Sequence, residues 1–186
     1  MISRRTFIQT SAASVLLPQF AQAQEFEVAE QYKPQYVRVK DGIAPGQLLV
    51  MPRAHFLYWI EAPNKAVRYG VGVGKAGLEF QGTATIDVKK EWPTWRPTNE
   101  MIERDPHLYG KFKGNLDAQP GGPGNPLGAR ALYLFQNGRD TFFRIHGTTQ
   151  PKSIGQSVSN GCIRMINSHV TDLYERVPIG TVVTVL

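Results

Sequence analysis

From position 47 onward, short β-prone runs alternate with turn residues. Gln47–Met51 and Phe56–Ile60 are rich in branched and aromatic residues and are divided by Pro52-Arg53, which predicts two strands. Ala62-Pro63-Asn64-Lys65 is a turn pattern, and residues 66–73 predict a third strand. It runs into Gly70-Val71-Gly72-Val73-Gly74-Lys75. That glycine run lacks the lysine–hydroxyl ending of a phosphate loop, so it reads as a strand whose glycines permit close packing or a bend. Residues 83–88 predict a further short strand. Residues 131–135 and 141–145 flank Asn137-Gly138-Arg139-Asp140, the strongest hairpin signal in the chain. Period-2 alternation puts Phe143 and Ile145 on a core face and Phe142, Arg144 and His146 on the other. Residues 181–186 are almost wholly apolar and predict a strand central to a sheet.

Two stretches break this rhythm. Val170, Leu173, Tyr174 and Val177 recur at helical spacing, predicting a helix over 167–177 with Asn167 or Ser168 as its cap and Pro178 and Gly180 as its stop. Residues 91–128 hold Pro93, Pro97, Pro106, Pro120, Pro123 and Pro126. Only residues 98–104 could be helical there, capped by Thr98 or Asn99 and closed by Pro106. Trp92, Trp95 and Tyr109 need something to pack on, so the segment reads as a partly ordered lid over a groove or as a surface excursion. Residues 24–46 are polar and irregular and read as a surface arm.

Composition supports a folded domain rich in turns, with 41% hydrophobic residues, 18 glycines and 13 prolines among 186 residues. The fold class expected is mostly β, a sandwich or mixed sheet with one short helix late in the chain. No internal repeat or second domain boundary is visible. No apolar run approaches the ~18 residues of a membrane-spanning helix, so no transmembrane anchor is expected. The formal charge of +6 is too diffuse for nucleic acid but suits an anionic partner.

The N-terminus changes the compartment. Ser3-Arg4-Arg5-Thr6-Phe7, an apolar run over 11–20 and Ala21-Gln22-Ala23 form the three parts of an export leader over residues 1–23. The paired arginines resemble the twin-arginine type, which implies a periplasmic destination. Without Arg4 and Arg5 the charge is 6 − 2 = +4, because no acidic residue precedes Glu25. In an oxidising compartment cysteines usually pair, yet Cys162 is the chain's single cysteine. It is inert and buried, joined to another molecule, or reactive.

The neighbourhood of Cys162 favours reactivity. A thiol attacks as its thiolate, and His146, at the end of a predicted strand, is a plausible base. Gly161 permits close approach, and the N–H groups of Gly161 and Cys162 could face an oxyanion. The remaining histidines, His55 in a strand run, His107 in the proline-rich segment and His169 at a helix start, give no metal spacing with Cys162. No metal or other cofactor is expected.

His146-Gly147-Thr148, Ser153-Ile154-Gly155 and Ser159-Asn160-Gly161-Cys162-Ile163-Arg164-Met165 together resemble the L,D-transpeptidase catalytic domain, the YkuD-type fold. The glycine-rich run from Pro120 to Arg130 is also similar, and the resemblance covers 47–186. It implies that Cys162 attacks the bond between the L-centre of the third residue and the terminal D-alanine of a peptidoglycan tetrapeptide stem. His146 would act as base then acid, the Gly147 carbonyl would orient its ring, and Gly161 would contact the oxyanion. An amine of another stem, or of an outer-membrane protein, would resolve the thioester. Arg164, Ser159, Asn160 and Arg144 are the expected substrate-side residues. The alternative reading pairs Arg164 with Asp172 or Glu175, and Arg144 with Asp140 or Glu100. Many family members carry histidine where Asn160 stands. Two rival readings use the same residues: a Cys/His cell-wall hydrolase or L,D-carboxypeptidase, and a non-catalytic wall-binding module.

Overall fold

The computed structural model describes residues 26–114 and 117–186; the expected leader over 1–23 lies outside them. Five strands come first: β1 (Gln35–Arg38), β2 (Gln47–Met51), β3 (Phe56–Ala62), β4 (Lys65–Gly70) and β5 (Val73–Gly74). Then follow β6 (Gly82–Glu91), helices α1 (Asn99–Arg104) and α2 (Pro106–Tyr109), β7 (Arg130–Gln136) and β8 (Arg139–His146). The chain ends with β9 (Ser157–Ser159), β10 (Ile163–Arg164), α3 (Asn167–Arg176) and β11 (Val182–Val185).

Nine strands form one mixed sheet in the order β1-β4-β3-β2-β11-β6-β7-β8-β10, and β5 pairs with β9. The apolar run at the C-terminus is central, as its composition predicts: β11 is parallel to β2 on one side and antiparallel to β6 on the other. The Asn137-Gly138 turn has φ of 53° and 71°, the positive pair that a tight two-residue hairpin requires. Residues 66–73 are not one strand. β4 ends at Gly70, and Gly72 instead bridges β10 at the far edge, with Gly72 N–H to Arg164 O at 2.9 Å and Arg164 N–H to Gly72 O at 2.7 Å. The sheet therefore curls until its second strand's continuation meets its last. A Cβ on Gly72 would lie 2.4 Å from the Ser153 carbonyl oxygen, so only glycine lets the edges close.

The curl encloses a single core. Leu48, Tyr69, Ile86, Leu134, Ile145, Met165 and Leu173 are all fully buried in it, although they come from opposite ends of the sheet and from α3. Each such aliphatic side chain contributes about 1.5–3 kcal/mol on burial. Helix α3 presents Val170, Leu173 and Val177 to this core. Its C-terminal carbonyls at Tyr174 and Val177 accept hydrogen bonds of 2.5 and 2.7 Å from Lys89 Nζ on β6.

Two sequence expectations change here. The stretch read as an irregular arm supplies β1, which pairs antiparallel with β4. Just before β1, Tyr32 packs where any side chain on Gly70 or Gly155 would stand. The expected Asn167 or Ser168 cap of α3 is absent: Ile166 occupies the cap position with no side-chain bond. In residues 91–128, Thr98 does cap α1 by accepting from Met101 N–H. Pro106 both ends that helix and opens α2, with Asp105 as cap.

Candidate active site

Parallel pairing of β10 with β8 brings the two motifs together, placing Ile163 opposite Ile145 and Arg164 opposite His146. Cys162 immediately precedes β10, level with the bulged part of β8. Phe142 there has φ of 61°, which breaks the alternation expected for 142, 144 and 146 and leaves its ring exposed at the groove. The displaced backbone meets the thiol: Cys162 Sγ lies 3.9 Å from the Phe142 carbonyl oxygen.

The turn before the cysteine is held by one hydroxyl. Ser159 Oγ donates to the Cys162 carbonyl at 2.6 Å and accepts from Gly161 N–H at 3.1 Å. Gly161 has φ of 125°, and a Cβ there would lie 2.5 Å from both the Leu78 carbonyl oxygen and a Phe143 ring carbon. Glycine is required on both counts.

His146 is almost completely buried, and its Nδ1 lies 2.5 Å from the Gly147 carbonyl oxygen. A carbonyl only accepts, so Nδ1 carries the proton toward Gly147 and Nε2 is the basic nitrogen; the Leu127 backbone also lies within hydrogen-bonding reach of the ring. Burial lowers the histidine pKa to about 4; the Gly147 carbonyl opposes this and the charges of Arg164 and Arg144 reinforce it. Burial also raises the Cys162 thiol pKa, against the pull of the Arg144 amide and the guanidinium groups of Arg144 and Arg164. Both shifts favour the uncharged forms, a neutral thiol and a neutral imidazole.

Asn167 is a supporting residue that the sequence reading mistook for a helix cap. Its Oδ1 accepts from Ala129 N–H and Thr148 N–H, both at 3.1 Å. It thereby ties the end of the glycine-rich loop to the segment carrying Gly147. Asn125, which is buried, organises that loop: Nδ2 donates to the Gln119 and Pro120 carbonyls and Oδ1 accepts from Leu127 N–H. An asparagine at a helix start and one within a Pro/Gly run carry no sequence signal for such roles.

The other candidate residues separate. Arg164 lines the groove and donates from Nη1 to Gln150 Oε1 at 2.9 Å. Asp172, one of its two candidate partners, is taken by Arg176 and the Tyr69 hydroxyl instead. Arg144 makes the other anticipated pair, bidentate to Asp140 at 2.7 Å for both contacts, and lies over the Tyr133 ring. His55 is not within a strand; it occupies a left-handed position at φ of 58° before β3, and its Nε2 lies 3.0 Å from Ser157 Oγ. Among the described residues no cluster of side chains could hold a metal ion.

Cys162 and His146 open into a groove of about 680 Å³. That is within the ~300–1,000 Å³ range of ligand sites. The segment 91–128 is its opposite wall. Trp95 packs on Tyr109 and, edge-on, on Phe112 at 5.4 Å, and is bridged to Gln119 by backbone bonds. Arg104, Lys111 and Arg164 bring positive charge to the groove, and Glu79 and Glu100 negative.

A family model for the YkuD L,D-transpeptidase catalytic domain matches residues 45–185. The chain belongs to the L,D-transpeptidase catalytic-domain family. The Escherichia coli K12 probable L,D-transpeptidase ErfK/SrfK is 33% identical over 156 residues, covering 82% of this chain and 47% of the relative. The chain thus spans about half the length of the curated relatives it matches. A Brucella melitensis crystal structure, described as a probable carnitine operon oxidoreductase, is 56% identical, covers 83% of this chain and 93% of that one, and has a TM-score of 0.57. An Enterococcus faecium L,D-transpeptidase carrying a C442S substitution matches at TM-score 0.54 and 17% identity, covering 77% of this chain and 50% of that one, which shows a shared fold. The L,D-transpeptidase family is a family of cell-wall enzymes that act on peptidoglycan, and the mixed sheet here fits the fold of its catalytic domain.

Proposed function

We propose that this L,D-transpeptidase domain carries out acyl transfer on peptidoglycan stem peptides with Cys162 as nucleophile. The observation that carries the reading is His146, buried on the strand paired with β10 and held at Nδ1 by the Gly147 carbonyl, which leaves Nε2 as its basic nitrogen. Nε2 takes the thiol proton as sulfur attacks the carbonyl carbon before the terminal D-alanine of a tetrapeptide stem. The C–N bond then breaks, His146 returns the proton to the departing D-alanine amine, and a thioester remains. An acceptor amine attacks the thioester and gives a proton to His146. The C–S bond breaks, and the proton passes to the sulfur, restoring the thiol.

The neutral resting pair makes proton transfer part of the attack itself. Backbone N–H groups at the Cys162 turn would stabilise the oxyanion. Gly161 N–H donates to Ser159 Oγ at rest, so Cys162 N–H is the first donor and Gly161 joins if that hydroxyl turns away. Ser159 supports the turn. Arg164, on the groove surface, would hold a substrate carboxylate, displacing Gln150. Arg144 acts on the substrate side through its charge beside the thiol. Stem amines, or an amine of an outer-membrane protein, are the acceptors, and the paired Arg4-Arg5 leader would send the protein to the periplasm by the twin-arginine route.

Mass-spectrometric product analysis of the leaderless chain with disaccharide-tetrapeptide tests this. Cross-linked dimer plus free D-alanine is the expected result. D-alanine release with monomer only would make water the acceptor and the protein a carboxypeptidase. No turnover, with Cys162→Ala equal to wild type, would leave a non-catalytic module.

A further inference from the structure

The groove's two walls meet at one side chain. Asn160, two residues before the nucleophile, uses both halves of its amide. Its Oδ1 accepts from Arg104 Nη2 at 3.3 Å, and its Nδ2 donates to the Tyr109 hydroxyl at 3.2 Å. Arg104 is the last residue of α1 and Tyr109 the last of α2. One amide thus gathers both lid helices onto the turn that carries Cys162.

Helices α1 and α2 are not anchored by burial: none of their residues belongs to the buried core cluster, and neither helix buries a residue fully. The Trp95–Tyr109–Phe112 contacts are internal to the lid. Among the hydrogen bonds of the described residues, those of Asn160 are the side-chain links from these two helices to the Cys162 turn. Two half-exposed hydrogen bonds contribute little to global stability but much to the position of helices of six and four residues, which do not persist alone.

We propose that Asn160 is a positioning residue: a clasp that holds the lid helices against the Cys162 turn and limits access of bulky ligands to the thiol. A substrate carboxylate entering the groove would compete with the neutral Asn160 Oδ1 for Arg104, because a charged acceptor binds guanidinium more strongly. The clasp is then released by ligands that carry such a group and stays shut to those that do not. This inference rests on the geometry of the lid and does not need the acyl-transfer reading to be correct.

The single cysteine makes the test direct, because thiol reagents report on this site alone. The quantity read is the ratio of Cys162 alkylation rates for a bulky maleimide and for iodoacetamide. Intrinsic thiol reactivity cancels in that ratio and access does not. Asn160→Ala and Tyr109→Phe should each raise the ratio about threefold to tenfold, the range for losing one or two modest hydrogen bonds. Their combination should raise it no further than Asn160→Ala alone. Asn160→Asp should keep the wild-type ratio, since a carboxylate accepts from both Arg104 and the Tyr109 hydroxyl. Hydrogen exchange over residues 99–112 should quicken in the first two variants. Should Asn160→Ala fail to fold, Tyr109→Phe carries the test. An unchanged ratio and unchanged exchange in the folded variants would overturn the clasp.

Discussion

The two walls of the groove are built by different rules. The Cys162–His146 wall is sheet: β8 and β10 are locked by parallel pairing, by the Gly72 bridge and by a core that runs directly beneath them. Its Cys162 turn tolerates no added atom at Gly161 and is tied by the hydroxyl of Ser159, a residue only 1% exposed. The opposite wall is assembled from helical turns, an aromatic cluster and a clasp. The same chain therefore fixes the proposed nucleophile and base on the stiff wall and leaves adjustment to the other. Chemistry should fail abruptly when the first wall is disturbed, and binding should weaken gradually when the second is.

The largest expected effect is on the stiff wall. Gly161→Ala drives a Cβ against the Leu78 carbonyl and the Phe143 ring and demands a φ that alanine avoids. Displacing the thiol by even ~1 Å typically costs about 100-fold in rate. Turnover should fall at least that far while circular dichroism still shows a folded sheet; retained turnover would mean that the turn is softer than its contacts imply.

An intermediate effect concerns the buried imidazole. His146 titrates at about 4 when folded, against an ordinary value of 6.5. Between those values the unfolded chain binds the extra proton, so the contribution of His146 to stability is complete above pH 6.5 and is lost as pH falls toward 4. From pH 7 to pH 4.5 the wild type should lose about 2 kcal/mol more than His146→Gln, at ~1.36 kcal/mol per pH unit. Urea midpoints at the two pH values measure this. Equal losses in both proteins would place the imidazole in water.

The smallest effect belongs to the lid. Trp95→Ala removes the centre of the aromatic cluster, whose contacts contribute roughly 0.5–1.5 kcal/mol each. KM for a stem peptide should rise about threefold to tenfold. The thermal midpoint should move by no more than ~3 °C, because the core does not include this residue. A large loss of thermal stability would show that the lid belongs to the core after all.

The same division governs what could be read from the sequence. β11, the Asn137-Gly138 hairpin and the buried face of α3 were legible because period and turn chemistry act locally. Cys162 and His146 stood out as candidates because their motifs are short and carry a resemblance, and the pairing of β8 with β10 brings those motifs together. The Phe142 bulge was not, since period 2 assumes unbroken pairing and a phenylalanine at positive φ leaves no compositional mark. Neither was Gly72 as the closing point of the sheet, because closure depends on where two distant edges meet. Asn167 looked like a helix cap, and only the loop packed against it shows that its oxygen serves Ala129 and Thr148 instead. Asn160 stood out as a departure from the family's commoner histidine, but its partners lie 56 and 51 positions away, in a segment with no periodicity to place them.

The most direct test of the central claim is an intact-mass measurement on the leaderless protein mixed briefly with a tetrapeptide donor and no acceptor amine. The wild type should gain the mass of the donor less D-alanine, located at Cys162 by peptide mapping. Cys162→Ala should gain nothing. An adduct on another residue, or D-alanine released at the wild-type rate by Cys162→Ala, would contradict the assignment of Cys162 as the acyl-carrying nucleophile.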